Sequence, residues 1–453
     1  MGWLATSVFG DSIFALRFFP AIAGCIIVLI IGLMAKELGG KKWAIILACL
    51  AYILSPAFLR TNTLFQPVCF NQMWWTVAAF IFIKIINSNE KKYWYFLGIA
   101  VGLGWLTKYS IAFFMAAILI SVFLTENRKW LSTKYPYIAF GIAFLIALPN
   151  ICWQYKYGFP VIQHMNELAS TQLVNVNPIG FIKSQLMGNA SGVLIWIPGL
   201  IWLLFSKQGK PYRLLGFSYI FLILILIALS GKSYYAFGVY PMLMAAGGVA
   251  VSTYLEHKKN TIKYLFATCL IIPLLLLVPK GLPILPKEKL AGYFNTIKNF
   301  GYGQRWEDGK YYPLPQDFSD MFGWEEMAQK VAKKYHSLPA EKKSSCIVWG
   351  GSYAHTSTLN FYKKKYNLPE IFTLHSSYIL FIEPPPIFDN LIIVDDVWSD
   401  SSSYFFHHEF VDSIENKYAR EKGYIFYRDQ PRINVDSAVI ELLKNERAAL
   451  FEE

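Results

Sequence analysis

Residues 93–124 read YWYFLGIAVGLGWLTKYSIAFFMAAILISVFL, an apolar run interrupted by a single charge, Lys108. As one helix the run would be about 48 Å long at about 1.5 Å per residue, far more than a hydrocarbon core of about 30 Å. The flanks decide how it divides. Lys91 and Lys92 precede it, and Arg128 and Lys129 follow it. Short basic loops stay on the cytoplasmic side of a membrane. Both clusters meet that rule only if the chain crosses, turns at Lys108 and crosses back. The run therefore reads as two short helices, 94–107 and 110–124, with Lys108 at the far tip.

Working outward, further apolar segments fall at 18–36, 43–59, 72–86, 136–152, 186–205, 214–230, 236–254 and 264–279, which makes about ten crossings in all. The chain of 453 residues is 55% hydrophobic and only 16% charged, against about 25% charged in soluble domains. Residues 1–279 hold 21 Lys and Arg against 6 Asp and Glu, while 280–453 hold 21 against 24. The excess positive charge thus sits between apolar segments, which excludes a nucleic-acid surface and marks loops between spans. With about ten spans, one alternating set of loops gathers Lys36, Lys41, Lys42, Lys84, Lys91, Lys92, Arg128, Lys129, Lys134, Lys207, Lys210, Arg213, Lys258, Lys259 and Lys263. The other set holds only Arg17, Arg60, Lys108, Lys156, Lys183 and Lys232. The first set is expected in the cytoplasm, so the N-terminus and the tail are expected outside. Met1 opens a weakly apolar stretch with no basic leader, and the count leads to the expectation of one more helix and an outer loop upstream of it.

After a linker bearing Pro279, Gly281, Pro283 and Pro286, the tail has ordinary domain composition. The domains are expected as 1–279, polytopic, and 280–453, an extracytoplasmic α/β domain. Phe322 to Tyr335 reads as an amphipathic helix. Cys346–Trp349 reads as a strand entering Gly350-Gly351 and a helix through Tyr362, and Leu391–Val394 as a second strand ending in Asp395-Asp396. The Gly-Gly turn lacks the spacing of a dinucleotide site and reads as a strand-to-helix corner. The six cysteines show no disulfide or metal-ligand spacing, and no paired His/Cys motif implies a metal or cofactor.

FGDSIFALRFFPAIAG, MAKELGG, LGIAVGLGWLTKYS, LPNICWQYKYGFP and GKSYYAFGVYPMLMAAG, in that order, resemble glycosyltransferase family 39. This group includes the protein mannosyltransferases and the lipid A aminoarabinose transferases. FGWEEMAQKVAKKY, WGGSY, YKKKYNLP and LHSSY followed by EPPP resemble the outer domain of one bacterial branch. The resemblance implies a bacterial inner-membrane enzyme. Such an enzyme takes a sugar from a polyprenyl-phosphate carrier and hands it to an extracytoplasmic acceptor, which is lipid A, another glycan or a protein. The family's acidic pair in its first outer loop has no counterpart here, so the expectation is of a chain lacking that loop and impaired in activity. A second family acidic position aligns with Asn71 in LFQPVCFNQMWW.

Glycosyl transfer from a phospholipid requires cations for the leaving phosphate and a group that activates or positions the acceptor. Lys108 is the leading cation, because a lone charge at membrane depth is expensive. An interfacial anchor is its plain alternative. Lys232, beside Tyr234 and Tyr235, and Arg60, near Gln66, complete the expected phosphate site, with the two tyrosines, Gln66 and Asn71 as substrate contacts. Of the outer acidic residues, Asp11 reads as a helix N-cap, and Glu167 is the candidate base, set against a solvated loop charge. Trp43, Trp74, Trp75, Trp94, Trp130 and Trp153 read as an interfacial belt. A transporter would show repeats and buried mid-membrane charges, which the sequence lacks. A non-catalytic scaffold is the other reading.

Overall fold

The computed structural model describes residues 2–299 and 304–449. The chain divides into two compact units, residues 1–153, 164–293 and 300–302 in one, and 154–163, 294–299 and 303–453 in the other. The first unit is helical throughout. Its helices are α1 Gly2–Phe9, α2 Ile13–Glu37, α3 Lys42–Ile53, α4 Pro56–Thr61, α5 Pro67–Ser88, α6 Lys92–Thr107, α7 Ile111–Phe123, α8 Tyr135–Lys156, α9 Pro160–Thr171, α10 Pro178–Asn189, α11 Val193–Phe205, α12 Arg213–Ala228, α13 Tyr240–Leu255 and α14 Asn260–Gly281. Two of these, α8 and α9, run on into the stretch 154–163 of the second unit.

Among the described residues, six helices are long and apolar enough to cross a membrane, or eight if two sharply bent pairs each count as one span. The protein is therefore a multi-pass membrane protein. The expected count of about ten adds α3, of 12 residues, and α6, of 16, which are helical where the sequence placed them but short for a crossing. Local chemistry explains several boundaries. Pro67 and Pro178 sit in first turns, where a missing N–H costs nothing. The cap of α2 is Ser12, not Asp11, because Ser12 takes the extended conformation and its hydroxyl accepts from the Ala15 N–H.

In lipid no hydrophobic force draws helices together, so close backbone approach and side-chain packing do it. Helix α13 lies at the centre, with nearly every residue from Tyr240 to Val249 buried. It touches α11 through two glycines. A Cβ on Gly199 would stand 2.0 Å from the Leu243 carbonyl, and one on Gly247 1.9 Å from that of Ile195. At the periphery α8 and α14 leave most of their length uncovered, as lipid-facing helices do.

The five basic loops are joined side chain to side chain. Lys41 pairs with Glu256 at 2.7 Å, Lys84 with Glu37 at 2.8 Å, and Lys210 with Glu126 at 3.0 Å. Asn87 donates to Glu37 and accepts from the Tyr212 hydroxyl at 2.6 Å. These loops form one end of the unit, as the charge count expected. The tryptophan belt is corrected in part. Trp75 is fully buried and stacked on Phe114, while Trp94 and Trp130 are buried edge to face, 5.3 Å apart. A tryptophan at a helix end can face a neighbouring helix as easily as lipid, and packing decides.

The second unit carries a five-stranded sheet of β1 Cys346–Gly350, β2 Ile371–Phe372, β3 Asn390–Asp395, β4 Phe405–Asp412 and β5 Tyr424–Pro431, in the order β2-β1-β3-β5-β4. Strands β2, β1 and β3 are parallel, and β5 is antiparallel to both β3 and β4. Side chains alternate across the sheet. Val348, Ile392 and Val394 meet α17 (Trp324–Ser337) and α19 (Tyr353–Tyr366), while Ile347 and Leu391 turn to the other face with Val435 and Val439 of α20 (Val435–Ala449). The strand-to-helix corner at Gly350-Gly351 is as expected, with Ser352 capping α19. Helices α15 (Lys287–Lys298), α16 (Gln316–Ser319) and α18 (Ala340–Ser344) complete the set.

Candidate active site in the membrane unit

At the end of the unit opposite the basic loops, α6 stops at Thr107 and Lys108 takes an extended conformation before α7 begins at Ile111. The connection is fastened on both sides. The Tyr109 hydroxyl donates to Asn150 Oδ1 of α8 at 3.0 Å, and Trp105 Nε1 donates to the same oxygen at 3.3 Å. Ser110 accepts from the Asn71 amide at 3.2 Å, and Asn71 Oδ1 accepts from Trp75 Nε1 at 3.1 Å. Trp75 in turn packs against Gly238, where a Cβ would stand 2.6 Å from its ring. Asn71, expected as a substrate contact, is 4% exposed and spends its amide on these two partners. Its observed part is to hold the Lys108 connection.

The segment 233–239 lies across from Lys108. The ammonium of Lys108 is 5.1 Å from the Tyr234 ring centre and 4.8 Å from that of Tyr235, and the two rings pack edge to face 4.8 Å apart, so the lysine sits against the aromatic pair. Lys232 is close enough to repel it, and the Lys232 ammonium donates to Gln172 Oε1, just beyond α9. Burial, then the Lys232 charge, bring Lys108 down to about 8 from the ordinary lysine value. The segment is anchored from beneath. Gln185 donates to the Ser233 carbonyl at 2.9 Å and accepts from the Tyr240 hydroxyl at 2.9 Å.

The remaining expected residues stand apart from this cluster or reach it through intermediaries. Arg60, 7% exposed at the end of α4, lies in charge range of Arg17. The neighbouring Thr61 donates to Gln72, next in the chain to Asn71. Gln66 precedes α5 with an exposed side chain. Glu167 is exposed on α9, 3.8 Å from His164. Gln172, Gln185, Asn150 and Arg17 were not singled out from sequence as site residues. For Gln185 and Asn150 a signal existed, since a polar side chain on an apolar helix marks a buried network.

A cavity of about 530 Å³ opens between α6, α7 and α8, and its lining includes Trp105 and Ile111, three residues to either side of Lys108 in the chain. Trp105, Ile111 and Ile151 line it near the lysine, and Trp94, Trp130 and Leu131 near the basic loops, so it runs along the helices. Its wall is apolar throughout. A cation pair beside an apolar slot fits an anionic head on a hydrocarbon tail. Among the described residues, no cluster of three potential metal ligands lies in this unit.

Residues 1–153 match the family described as dolichyl-phosphate-mannose-protein mannosyltransferase. The chain is 25% identical over 243 residues to the undecaprenyl phosphate-alpha-4-amino-4-deoxy-L-arabinose arabinosyl transferase of Edwardsiella ictaluri, covering 49% of this chain and 43% of that protein. It is 22% identical over 126 residues to the lipid A galacturonosyltransferase RgtD of Rhizobium johnstonii, covering 28% and 26%. The chain therefore spans less than half the length of these curated relatives. The likeness to glycosyltransferase family 39 holds. Its fold is that of ArnT from Cupriavidus metallidurans, solved bound to undecaprenyl phosphate, with a TM-score of 0.58 and 14% identity over 94% of this chain and 86% of that one. The apo form of the same protein aligns equally well, over 96% and 87%. Lys108 and Asn71 both fall inside the stretch matched to the mannosyltransferase family, whereas Lys232 and the tyrosines lie beyond it.

Proposed function

We propose that this chain is an inner-membrane glycosyltransferase that moves a sugar from a polyprenyl phosphate to an acceptor on the outer face, with Lys108 and Lys232 holding the donor phosphate. The observation that carries the reading is the pair of neighbouring ammonium groups, Lys108 against the rings of Tyr234 and Tyr235, on the connection between two helices that wall an apolar cavity. Two neighbouring cations repel, and an anion between them relieves the repulsion.

The reaction exploits that arrangement. An acceptor oxygen attacks the anomeric carbon, the bond from that carbon to the phosphate oxygen breaks, and polyprenyl phosphate departs. The donor is a diester of charge −1 and the leaving group a monoester approaching −2, so negative charge grows on the phosphate in the transition state. Cations fixed beforehand gain most at that point, which raises the rate rather than merely tightening binding. Tyr234 and Tyr235 offer ring faces and hydroxyls to the sugar. Arg60, with Arg17, is a second basic group for a phosphate-bearing partner. A hydroxyl acceptor must lose its proton, and Glu167, exposed on the helix that leads to Gln172, is the acidic side chain assigned to reach it. The second unit stands on the outer face in this reading.

The test is consumption of labelled polyprenyl-phosphate sugar by proteoliposomes of the purified chain with lipid A, glycan or peptide acceptors. Transfer that falls sharply in Lys108→Met and Lys232→Met supports the reading. Donor left intact while lipid or solute crosses the membrane makes the protein a transporter, and donor left intact with no transport makes it a scaffold.

A further inference from the structure

The second unit gathers His355, Asp396 and Glu421, whose potential ligand atoms all lie within 4.8 Å of one another. His355 is in the first turn of α19, Asp396 follows the last residue of β3, and Glu421 lies in the connection before β5. In sequence they share no motif. The topology brings them together. From the carboxyl end of β1 the chain leaves through α19 toward β2, whereas from the end of β3 it leaves toward β4 and β5. The crevice between β1 and β3 is thus the point where connections diverge, the usual place for a ligand in a sheet of this kind.

Three features single this crevice out. His355 is completely buried; its Nδ1 has no hydrogen-bond partner, and its Nε2 faces the Asp396 carboxylate. A buried imidazole nitrogen left without a partner is costly unless something else satisfies it. Its Nε2 lies 3.3 Å from Asp396 Oδ2. Two ligands on tetrahedral zinc, each about 2.0–2.1 Å from the ion, stand about 3.3 Å apart. Finally, Asp396 is held in place from behind. Its Oδ1 accepts from the Lys422 and Gly423 N–H groups at 2.8 and 2.9 Å, which leaves Oδ2 aimed at the histidine.

From this geometry we infer a binding site for one divalent transition-metal ion of the zinc class, with His355 Nε2, Asp396 Oδ2 and a Glu421 oxygen as its protein ligands. One imidazole and two carboxylates neutralise a doubly charged ion, and the mixed nitrogen and oxygen set favours zinc over calcium or magnesium, which prefer oxygen alone. Arg420, 3.6 Å from Glu421 Oε1, also pairs with Asp320 at 3.2 Å and can release the glutamate without being stranded. The ion would tie the start of α19 and the end of β3 to the 413–423 connection.

The experiment uses the full chain in detergent, stripped with EDTA and dialysed against ZnCl2, with bound zinc counted by elemental analysis and thermal unfolding followed in parallel. Wild type should retain one more zinc per chain than either His355→Gln or Glu421→Gln, and zinc should raise its unfolding temperature but not theirs. Glu421 is partly exposed, so Glu421→Gln tests the site even if the histidine variant fails to fold. Equal zinc content in wild type and Glu421→Gln, or a wild type that binds calcium and magnesium but no zinc, overturns the inference. Sugar transfer plays no part in these readouts, so failure here leaves the proposed activity standing, and the reverse.

Discussion

Replacing Lys108 by methionine should push donor affinity and stability of the free protein in opposite directions. The side chain is shortened by one atom, stays unbranched and loses its charge. In the free protein that charge is a burden, since burial and Lys232 lower Lys108 to about 8 from the ordinary lysine value. The sign follows from linkage. Between about pH 8 and the ordinary lysine value, near 10.4, the unfolded chain binds the proton more tightly than the folded one, so stability rises with pH across that window. Below pH 8 the full cost applies, on the order of 3 kcal/mol as an upper figure. Lys108→Met should therefore unfold at a higher temperature than wild type at pH 7, and its stability should lose the rise above pH 8. Binding should go the other way. A hydrogen bond to a charged group contributes about 1.5–3 kcal/mol, so undecaprenyl phosphate should bind about 10- to 150-fold more weakly. Lys108→Arg should keep most of the affinity. The assay is binding of undecaprenyl phosphate to the purified protein by quenching of tryptophan fluorescence, from pH 7 to 9.5, alongside thermal unfolding. The phosphate is already dianionic over this range, so a loss of affinity as pH passes 8 reports the lysine. A methionine variant that unfolds earlier and binds the lipid as tightly as wild type refutes the phosphate-site reasoning.

Other perturbations reach different parts of the structure. Asn71→Ala, which removes the hold on Ser110 and Trp75, should lower kcat about tenfold or more with little change in donor Kd, since it loosens the connection that positions the lysine; steady-state kinetics separate the two. Ala116→Phe narrows the apolar cavity and should cut turnover of long polyprenyl donors about tenfold while sparing a short-chain analogue. Gly247→Leu drives a side chain into the Ile195 carbonyl and should abolish monodisperse protein on size exclusion. In the second unit Lys330 joins Glu326, Asp412 and Glu415 at 2.9–3.1 Å, and Lys330→Met should destabilise that unit by about 1–3 kcal/mol. Burial raises Asp412, but the Lys330 hydrogen bond, the Ser413 N–H and the charges of Lys330 and Lys333 together outweigh it and hold it low. Its contribution is therefore present above the ordinary aspartate value and is lost as pH falls through the folded value, and the methionine variant should show a shallower acid limb in chemical denaturation.

The spans were legible because hydropathy and loop charge are local properties, and residues 93–124 divided at Lys108 as the flanking lysines required. Length was less legible, since α3 and α7 are shorter than the apolar runs that contain them. The pairing of Lys108 with Lys232 could be placed on one face by counting crossings, but the rings of Tyr234 and Tyr235 against Lys108 depend on how 233–239 is anchored by Gln185, a contact between distant helices. Asn71 was read as a substrate contact from its alignment, whereas its neighbours Trp75 and Ser110 claim it. The same blindness hid His355, Asp396 and Glu421, which become neighbours only through the order of strands.

The shortness of α7 has a mechanical effect on the surrounding lipid. Thirteen residues make a rod of about 20 Å, roughly 10 Å less than the acyl layer around it. Such a deficit is met by thinning of the bilayer, snorkelling of flanking residues or oligomerisation, at fractions of a kcal/mol per Å. Thinning on the Lys108 side would bring the headgroup plane closer to that lysine, so that a carrier lipid's phosphate would have less hydrocarbon to cross on its way in.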